Sequence, residues 1–293
     1  MRTAPINPPL ACTEERTVLD CQTEISQGRR FAFGLNWQKF GRLIDEERVR
    51  GAQTSLENAL GTSDLTGRTF LDVGCGSGLF SLAALRLGAR VRSFDFDPDS
   101  VATTRKLRDD FAPGSAWDIE CASILDAGFV QGLGQFDIVY SWGVLHHTGA
   151  LWKAMEAVCG LVARDGLLYV SIYNDQGGES RMWTSVKRRY NDSGPAVRRL
   201  LLAGSMLYLG RRYPLRVAAG LMGGGAGSTP WTEPCPRGMS RKHDLVDWVG
   251  GYPFEVASPE RVFDFCRERE FQLRHLKTCK GGIGCNEFIF ARS

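Results

Sequence analysis

Three glycines at alternate positions, Gly74, Gly76 and Gly78, follow directly on a short apolar segment, Thr69 to Val73. Glycine lets the backbone turn sharply and approach a ligand closely, because it carries no Cβ. After the third glycine, apolar residues recur at helical spacing from Leu79 to Leu87. The pattern predicts a buried strand, a tight ligand-binding turn, and a helix whose first N–H groups face that turn.

The spacing of the glycines separates two kinds of nucleotide-binding loop. The dinucleotide fingerprint G-x-G-x-x-G requires a glycine where this chain has Leu79. The tighter G-x-G-x-G, with Asp72 ahead of it, resembles motif I of the class I S-adenosylmethionine (AdoMet) methyltransferases. The resemblance implies AdoMet as the cofactor and a first group of cofactor-binding residues: Asp72, Gly74, Cys75, Gly76 and Gly78.

The second expected strand, Arg90 to Asp95, ends in an acid. A carboxylate at this tip can accept hydrogen bonds from both hydroxyls of a ribose, because each of its oxygens is an acceptor. In the family that the chain resembles, this acid binds the ribose and the next residue packs on adenine, which implies these roles for Asp95 and Phe96. The alternative is that Asp95 only caps the following helix, although residues 97–100 already offer caps.

A third strand is predicted from Asp118 to Ala122, and Ser123 and Ile124 follow it. Many relatives carry an aspartate in place of Ser123, directed at the adenine amino group. A serine hydroxyl can still accept a hydrogen bond, so Ser123 and Ile124 are assigned to the adenine end of the cofactor.

The segment from Phe136 to His147 resembles the fourth-strand motif of small-molecule methyltransferases, including the ubiquinone-type and tRNA carboxymethyl-type enzymes. Ligands of open α/β sheets gather at the carboxyl ends of the strands, so Ser141 and Trp142 are expected to face the methionine part of the cofactor. His146 and His147 are interpreted as packing residues, because adjacent histidines point in different directions and no partner follows at metal-ligand spacing.

The fifth strand, Gly166 to Ile172, is followed by Tyr173 and Asn174, beside the expected position of the reactive methyl group. An aromatic face near a sulfonium stabilises its positive charge, so Tyr173 is the first catalytic candidate and Asn174 a positioning candidate. If the acceptor needs a weak base, Tyr173 itself, His243 and Asp244 are the candidates.

The C-terminal segment completes the expected architecture with a helix from Pro259 to Arg269 and two strands, Phe271 to Thr278 and Asn286 to Ala291. The resemblance then implies an α/β fold, the Rossmann-like seven-stranded sheet of class I methyltransferases with strand order 3-2-1-4-5-7-6. The expected divisions are an N-terminal helical lid (1–66), the AdoMet-binding core (67–174), a helical substrate cap inserted after strand five (175–258), and the closing helix and hairpin (259–293).

Helical patterns precede the first strand at Glu14 to Gln27, Trp37 to Leu43 and Glu46 to Leu60, with an aromatic segment, Phe31 to Trp37, between the first two. In class I methyltransferases such helices often form a lid that excludes water from the cofactor. The alternative, which can hold at the same time, is that the aromatic residues only fasten the helices to the sheet.

The insertion of residues 175–258 is too long for a simple connection. Helices are predicted from Arg181 to Tyr190 and from Pro195 to Arg212, followed by a glycine-rich break at 220–227. Residues 181–216 contain nine Lys or Arg and one acid, Asp192. We interpret this excess as a solvated basic helix face, with a surface for an acidic substrate, a carrier protein or RNA as the alternative.

Composition indicates the cellular compartment and the classes of partner that are expected. The nine cysteines include no C-x-x-C pair and are odd in number, which is typical of reduced thiols in a cytoplasmic protein, and no metal site is expected. No stretch has the roughly 18 to 20 apolar residues of a membrane span, and the N-terminus lacks the apolar core of a signal peptide. A net charge of +3 gives no support for a nucleic-acid partner.

Three functions are open on the sequence alone. The first is in-line transfer of the AdoMet methyl group to a small metabolite, an amino acid or an intermediate of secondary metabolism. Ser-Trp-Gly-Val at 141–144, in place of an N-P-P-Y motif, argues against adenine-N6 or glutamine-amide methylation. The second is a cyclase resembling azetidine-2-carboxylate synthases, in which AdoMet is the only substrate and methylthioadenosine leaves. The third is an AdoMet-binding module without catalysis, and the oligomeric state is left open.

Overall fold

Seven strands form one mixed sheet in a computed structural model that describes residues 10–210, 246, 248–280, 282 and 284–293. The strands are β1 (Thr69–Val73), β2 (Arg90–Asp95), β3 (Asp118–Cys121), β4 (Phe136–Trp142), β5 (Val162–Tyr173), β6 (Phe271–Lys277) and β7 (Cys285–Arg292). Their order in the sheet is β3-β2-β1-β4-β5-β7-β6. The predicted fold class and strand order are confirmed.

The described helices lie mostly between the strands. They are α1 (Leu10–Ser26), α2 (Phe33–Gly41), α3 (Glu46–Leu60), α4 (Leu79–Arg86), α5 (Pro98–Phe111), α6 (Ala127–Leu133), α7 (Leu151–Gly160), α8 (Gly178–Asn191), α9 (Pro195–Gly210) and α10 (Pro259–Arg267), with a 3₁₀ turn at Leu145–His147. Within the part of the chain that the structure describes, none of these helices combines the length and the apolar character needed to cross a membrane.

The sheet buries apolar side chains on both of its faces. Leu71 and Val73 of β1 belong to one core cluster, whereas Phe70 of the same strand belongs to the other. Successive side chains of a strand point to opposite faces, so a strand covered on both sides is apolar throughout. Helix α3 covers the second cluster with Val49, Ala52 and Leu56.

Parallel pairing brings the carboxyl ends of β1 to β5 to one edge of the sheet. β1 pairs with β2 and β4, β2 with β3, and β4 with β5, all in parallel. β7 runs antiparallel between β5 and β6, and it pairs with β5 as far as Tyr173 opposite Cys285. The glycine loop, the end of β2 and the end of β5 are thereby placed along the same edge.

Two boundaries differ from the sequence prediction for reasons outside the local pattern. Helix α2 begins at Phe33 rather than Trp37, because the N–H of Gly34 is held by Asp97 from the end of β2. β5 begins at Val162 rather than Gly166, because Val162 pairs with Phe136 before the chain bulges and pairing resumes at Leu167. Residues 164–166, which precede the predicted start of the strand, therefore form a bulge within it, with Asp165 at φ 61°.

Candidate active site

The loop between β1 and α4 is shaped by its three glycines, which have φ values of 78°, 57° and 77° at Gly74, Gly76 and Gly78. These values lie in the left-handed region that other residues adopt only with strain. The N–H groups of Gly74 and Cys75 both donate to the carbonyl of Phe94, at 2.9 and 3.1 Å. The loop is thereby bent against the end of β2.

Asp95 lies at the end of β2 with its carboxylate held against the glycine loop. One oxygen accepts from the N–H of Gly76 at 2.9 Å, and the other accepts from the N–H of Asp97 at 2.9 Å. Each carboxylate oxygen has a further lone pair, so both remain able to accept from a ligand hydroxyl. Asp97, not Asp95, caps α5 by accepting from the N–H of Asp99.

Burial raises the pKa of Asp95 to about 7, and the neighbouring carboxylate of Asp97 acts in the same direction. Desolvation disfavours the charged form, and the two backbone N–H groups oppose it only in part. A ligand that donates hydrogen bonds to Asp95 would stabilise the carboxylate form.

Asp72 is buried beside the loop and ends a series of side-chain hydrogen bonds. The indole of Trp117 donates to Ser93 at 2.8 Å, Ser93 and Ser81 share a hydrogen bond of 2.8 Å, and Ser81 donates to Asp72 at 2.5 Å. Burial raises the pKa of Asp72 to about 7 despite the Ser81 contact. In this geometry Asp72 supports the loop from below, and its contact with a cofactor stays a prediction.

Helix α2 covers the glycine loop from the N-terminal side. A Cβ added to Gly76 would lie 2.9 Å from the indole ring of Trp37. The N–H of Gly34 donates to Asp97 at 2.8 Å, and a Cβ on Gly34 would collide with the carboxylate of Asp97. Trp37 therefore covers the loop and the same helix is fastened to the sheet, while the lid function of the helix stays a prediction.

Arg30 stacks on the aromatic ring of Phe96, a contact that the sequence did not indicate. Its guanidinium lies 4.6 Å from the centre of the Phe96 ring. It also donates to Glu24 at 2.6 Å and to the carbonyl of His147 at 3.0 Å. One face of the ring assigned to adenine is therefore covered by a cation, so adenine would meet the other face or the edge of Phe96.

The other candidates for cofactor binding lie at the ends of β3 and β4. Ser123 is half-buried and accepts from the N–H of Leu125 at 3.1 Å, while Ile124 is buried in the core. Ser141 is buried and donates to the carbonyl of Val73 at 3.1 Å, which joins the ends of β4 and β1. Trp142 is half-buried at the last position of β4. Their roles stay predictions.

Tyr173 and Asn174 are fixed at the end of β5. The N–H of Tyr173 donates to Nδ1 of His146 at 3.3 Å, and its ring centre lies 4.0 Å from the imidazole. Asn174 accepts from the side chain of Asn286 at 3.0 Å, and its N–H donates to the carbonyl of Gly284 at 2.9 Å. Because its side-chain oxygen is engaged by Asn286, Asn174 is suited to positioning rather than proton transfer.

The two histidines are buried and neutral. Burial lowers the pKa of His146 well below its usual range, and the neighbouring His147 and the charge of Lys187 act in the same direction. Burial, together with the charge of Lys187, lowers the pKa of His147 to about 3. Nδ1 of His147 lies 2.6 Å from the carbonyl of Pro253 and must donate to it. These contacts agree with the packing interpretation of both residues.

Lys187 contradicts the interpretation of residues 181–216 as a solvated basic face. Its neighbours Arg188 and Arg189 on α8 are exposed, but Lys187 is fully buried. Its ammonium lies 4.4 Å from the ring centre of Trp248 and 4.5 Å from that of Phe254. The periodicity of α8 could have signalled this, because Lys187 is four residues from the buried Trp183. His243, Asp244 and the glycine-rich break at 220–227 lie outside the described residues.

A family model described as a methyltransferase domain matches residues 71–170, from β1 to β5. This span contains the glycine loop and Asp95 on a sheet with the methyltransferase strand order. Residues 71–170 are therefore similar to a methyltransferase domain, on a sheet with the strand order of the class I fold. The resemblance read from the sequence is thereby confirmed for the domain.

The curated relatives match the methyltransferase domain and little beyond it. A ubiquinone biosynthesis O-methyltransferase of Brucella melitensis is 31% identical over 110 residues, which cover 38% of this chain and 43% of that protein. The corresponding protein of Xanthomonas euvesicatoria is 33% identical over 111 residues, covering 38% and 45%. The chain thus spans less than half the length of these relatives.

A solved structure supports the fold of the domain. PKMT2 from Rickettsia typhi, solved in complex with AdoHcy, superposes with a TM-score of 0.50 at 15% sequence identity, over 77% of this chain and 49% of that one. At this identity the likeness concerns the fold alone.

Proposed function

We propose that the protein is an AdoMet-dependent methyltransferase that acts on a small metabolite. The observation that carries the proposal is the carboxylate of Asp95, held by the N–H of Gly76 at 2.9 Å beside the glycine loop. It presents free acceptor positions where a ribose would be bound, within the span that matches the methyltransferase domain. We further propose that residues 1–66 act as the lid, 67–174 as the cofactor-binding core, 175–258 as the substrate cap and 259–293 as the closing element.

The residues of the glycine loop fit AdoMet as the cofactor. The left-handed glycines leave the loop backbone without side chains that would intrude on a ligand, and Trp37 packs so closely on Gly76 that a Cβ there would collide with its indole ring. Asp95 would bind the ribose, and Phe96, Ser123 and Ile124 would border the adenine. When bound, AdoMet supplies a methyl group activated by its sulfonium.

The protein's contribution to the reaction is alignment and the exclusion of water. Helix α2 closes over the loop through Trp37, and Tyr173 presents its ring at the end of β5 among buried aromatic residues. Methyl transfer by in-line displacement draws its rate mainly from such positioning. The buried histidines are not suited to act as bases, because the pKa values of both are lowered.

Incubation with AdoMet alone and with mixtures of small acceptors, followed by mass analysis, tests this proposal. We expect S-adenosylhomocysteine to form only when an acceptor is added. Methylthioadenosine formed from AdoMet alone would establish the azetidine-forming cyclase instead. Binding of AdoMet without either product, across amino-acid, hydroxyl and amine acceptors, would leave the non-catalytic module.

The affinity for S-adenosylhomocysteine is expected to depend on pH through Asp95. The free carboxyl has a pKa of about 7, and ribose hydroxyls bind its deprotonated form. Affinity should therefore be full above pH 7 and fall by roughly tenfold per pH unit below it. Calorimetry across this range measures the slope, and Asp95→Asn should flatten it. An unchanged slope in that variant would assign the titration to Asp72, whose pKa is also about 7.

Substitution of Tyr173 separates the role of its ring from that of its hydroxyl. If the ring stabilises the sulfonium, Tyr173→Phe should retain most of the rate. Tyr173→Ala should lose about 0.5 to 2 kcal/mol of transition-state stabilisation, or about 2- to 30-fold. The rate is measured with the acceptor found in the assay above, after thermal unfolding confirms that both variants are folded. Equal and severe loss in both variants would show that the hydroxyl, not the ring, carries the effect.

A further inference from the structure

We propose that Lys187 and three buried N–H groups beside it bind a carboxylate of the methyl acceptor. The three groups are Nε2 of His146 and Nε1 of Trp183 and Trp248. The inference rests on the proposed function, because it assigns the ligand to the acceptor side of the same site.

Three donors of this cluster have no hydrogen-bond partner among the described residues, although they are buried: Nε2 of His146 and Nε1 of Trp183 and Trp248. Nδ1 of His146 accepts from the N–H of Tyr173, so the proton of the neutral ring is on Nε2. Leaving a buried donor unpaired costs about 1 to 3 kcal/mol. Three such groups in one cluster indicate a missing acceptor.

The three donors belong to one group of contacting side chains. The ring centre of Tyr173 lies 4.0 Å from His146 and 4.9 Å from Trp248, and Trp248 lies 5.6 Å from Trp183. The ammonium of Lys187 lies 4.4 Å from the Trp248 ring and 5.7 Å from the Tyr173 ring. It also donates to the backbone carbonyl of Trp248.

The polar atoms of the cluster named here are N–H donors, and one of them belongs to an ammonium. The ammonium of Lys187 would repel a sulfonium at the Tyr173 ring unless an anion neutralises it, although the aromatic faces alone would suit a cation. A carboxylate can accept from several donors at once, and its charge complements the ammonium. The cluster therefore fits an acidic ligand.

The cluster lies at the edge of the sheet that carries the proposed cofactor site. Tyr173 ends β5 and His146 follows β4, at the carboxyl edge that also carries the glycine loop. Val144, two residues before His146, stands where a Cβ on Gly74 would lie. A carboxylate bound here is therefore next to the proposed cofactor loop and on its acceptor side. The acceptor class that follows is a small acid, such as an amino or hydroxy acid.

Titration with simple carboxylates tests the subsite without knowledge of the acceptor. Acetate and benzoate are added to the full-length protein, with acetamide and benzamide as neutral analogues, in the presence and absence of S-adenosylhomocysteine. The indole N–H signals of Trp183 and Trp248, assigned from Trp→Phe variants, report hydrogen bonding directly in ¹H–¹⁵N spectra. We expect both signals to move downfield with a carboxylate and to stay unchanged with the amides.

Two variants test the charge of Lys187. Lys187→Met should weaken carboxylate binding by about 10- to 100-fold, and Lys187→Arg, which keeps the positive charge, should weaken it less. Arg189→Met is the matched control, because Arg189 is exposed two residues away on the same helix. It should bind as the unaltered protein does.

Three results would overturn the subsite. The first is that the indole signals do not move with either acid, and the second is that they respond equally to acids and amides. The third is competition between the acids and S-adenosylhomocysteine, because competition would assign the carboxylate position to the methionine end of the cofactor itself. Failure of S-adenosylhomocysteine to bind would instead refute the proposed function, and the titrations without it still test the subsite.

Discussion

Gly76→Val is expected to abolish binding of AdoMet and S-adenosylhomocysteine while the sheet stays folded. Gly76 has φ 57°, which a β-branched residue adopts only with strain. Its Cβ would also lie 2.9 Å from the indole of Trp37, so the lid helix would be displaced from the loop. Calorimetry measures the affinity, and circular dichroism measures the fold.

Gly61→Val is the matched control for this substitution. Gly61 ends α3 with φ 71° and has no atom within 4 Å of an added Cβ. Valine at position 61 therefore has the same kind of backbone strain as valine at position 76, but its side chain meets no neighbouring atom and lies away from the glycine loop. The control should lose stability but keep its affinity. If Gly76→Val still binds either ligand, the loop does not approach the cofactor.

Asp95→Ala is expected to weaken binding of AdoMet by about 1 to 3 kcal/mol, or about 5- to 150-fold, because the ribose hydroxyls lose their acceptor. The N–H groups of Gly76 and Asp97 lose theirs as well, so part of the effect is loss of loop order. Asp95→Asn keeps one acceptor oxygen and should fall between Asp95→Ala and the unaltered protein.

Asp118→Ala provides the comparison for charge. Asp118 is an exposed acid at the first position of β3, on the neighbouring strand. Its loss changes the net charge equally and should leave the affinity unchanged. Unaltered affinity in Asp95→Ala would mean that the end of β2 does not bind the ribose.

The local patterns predicted those elements whose signals lie within a few residues. β1 and β2 have the predicted bounds, because glycines follow β1 directly and β2 ends in an acid shortly before a helix start. The cofactor half of the site follows from the same signals. Asp95 was found as the acid at the end of β2, and its contact with Gly76 joins the two motifs.

The features that the sequence did not predict depend on contacts between distant residues. The start of α2 depends on Gly34 meeting Asp97, and the position of Arg30 depends on Phe96 and His147. Lys187 is one of nine cations between residues 181 and 216. Its spacing from Trp183 places it on the buried face of α8, but its contact with Trp248 lies far along the chain. No periodicity within α8 identifies that partner.

The pairing of β5 with β7 sets the order in which the two halves of the site can form during synthesis. Asn174 is held by Gly284 and Asn286, and Tyr173 is paired with Cys285, all more than a hundred residues later in the chain. The hydrogen bonds that Asp95 accepts involve no residue beyond 97, and the last of the proposed cofactor-binding residues is Trp142. On the ribosome the nucleotide half is therefore complete well before the acceptor half, whose assembly must wait until residues 284–286 have emerged.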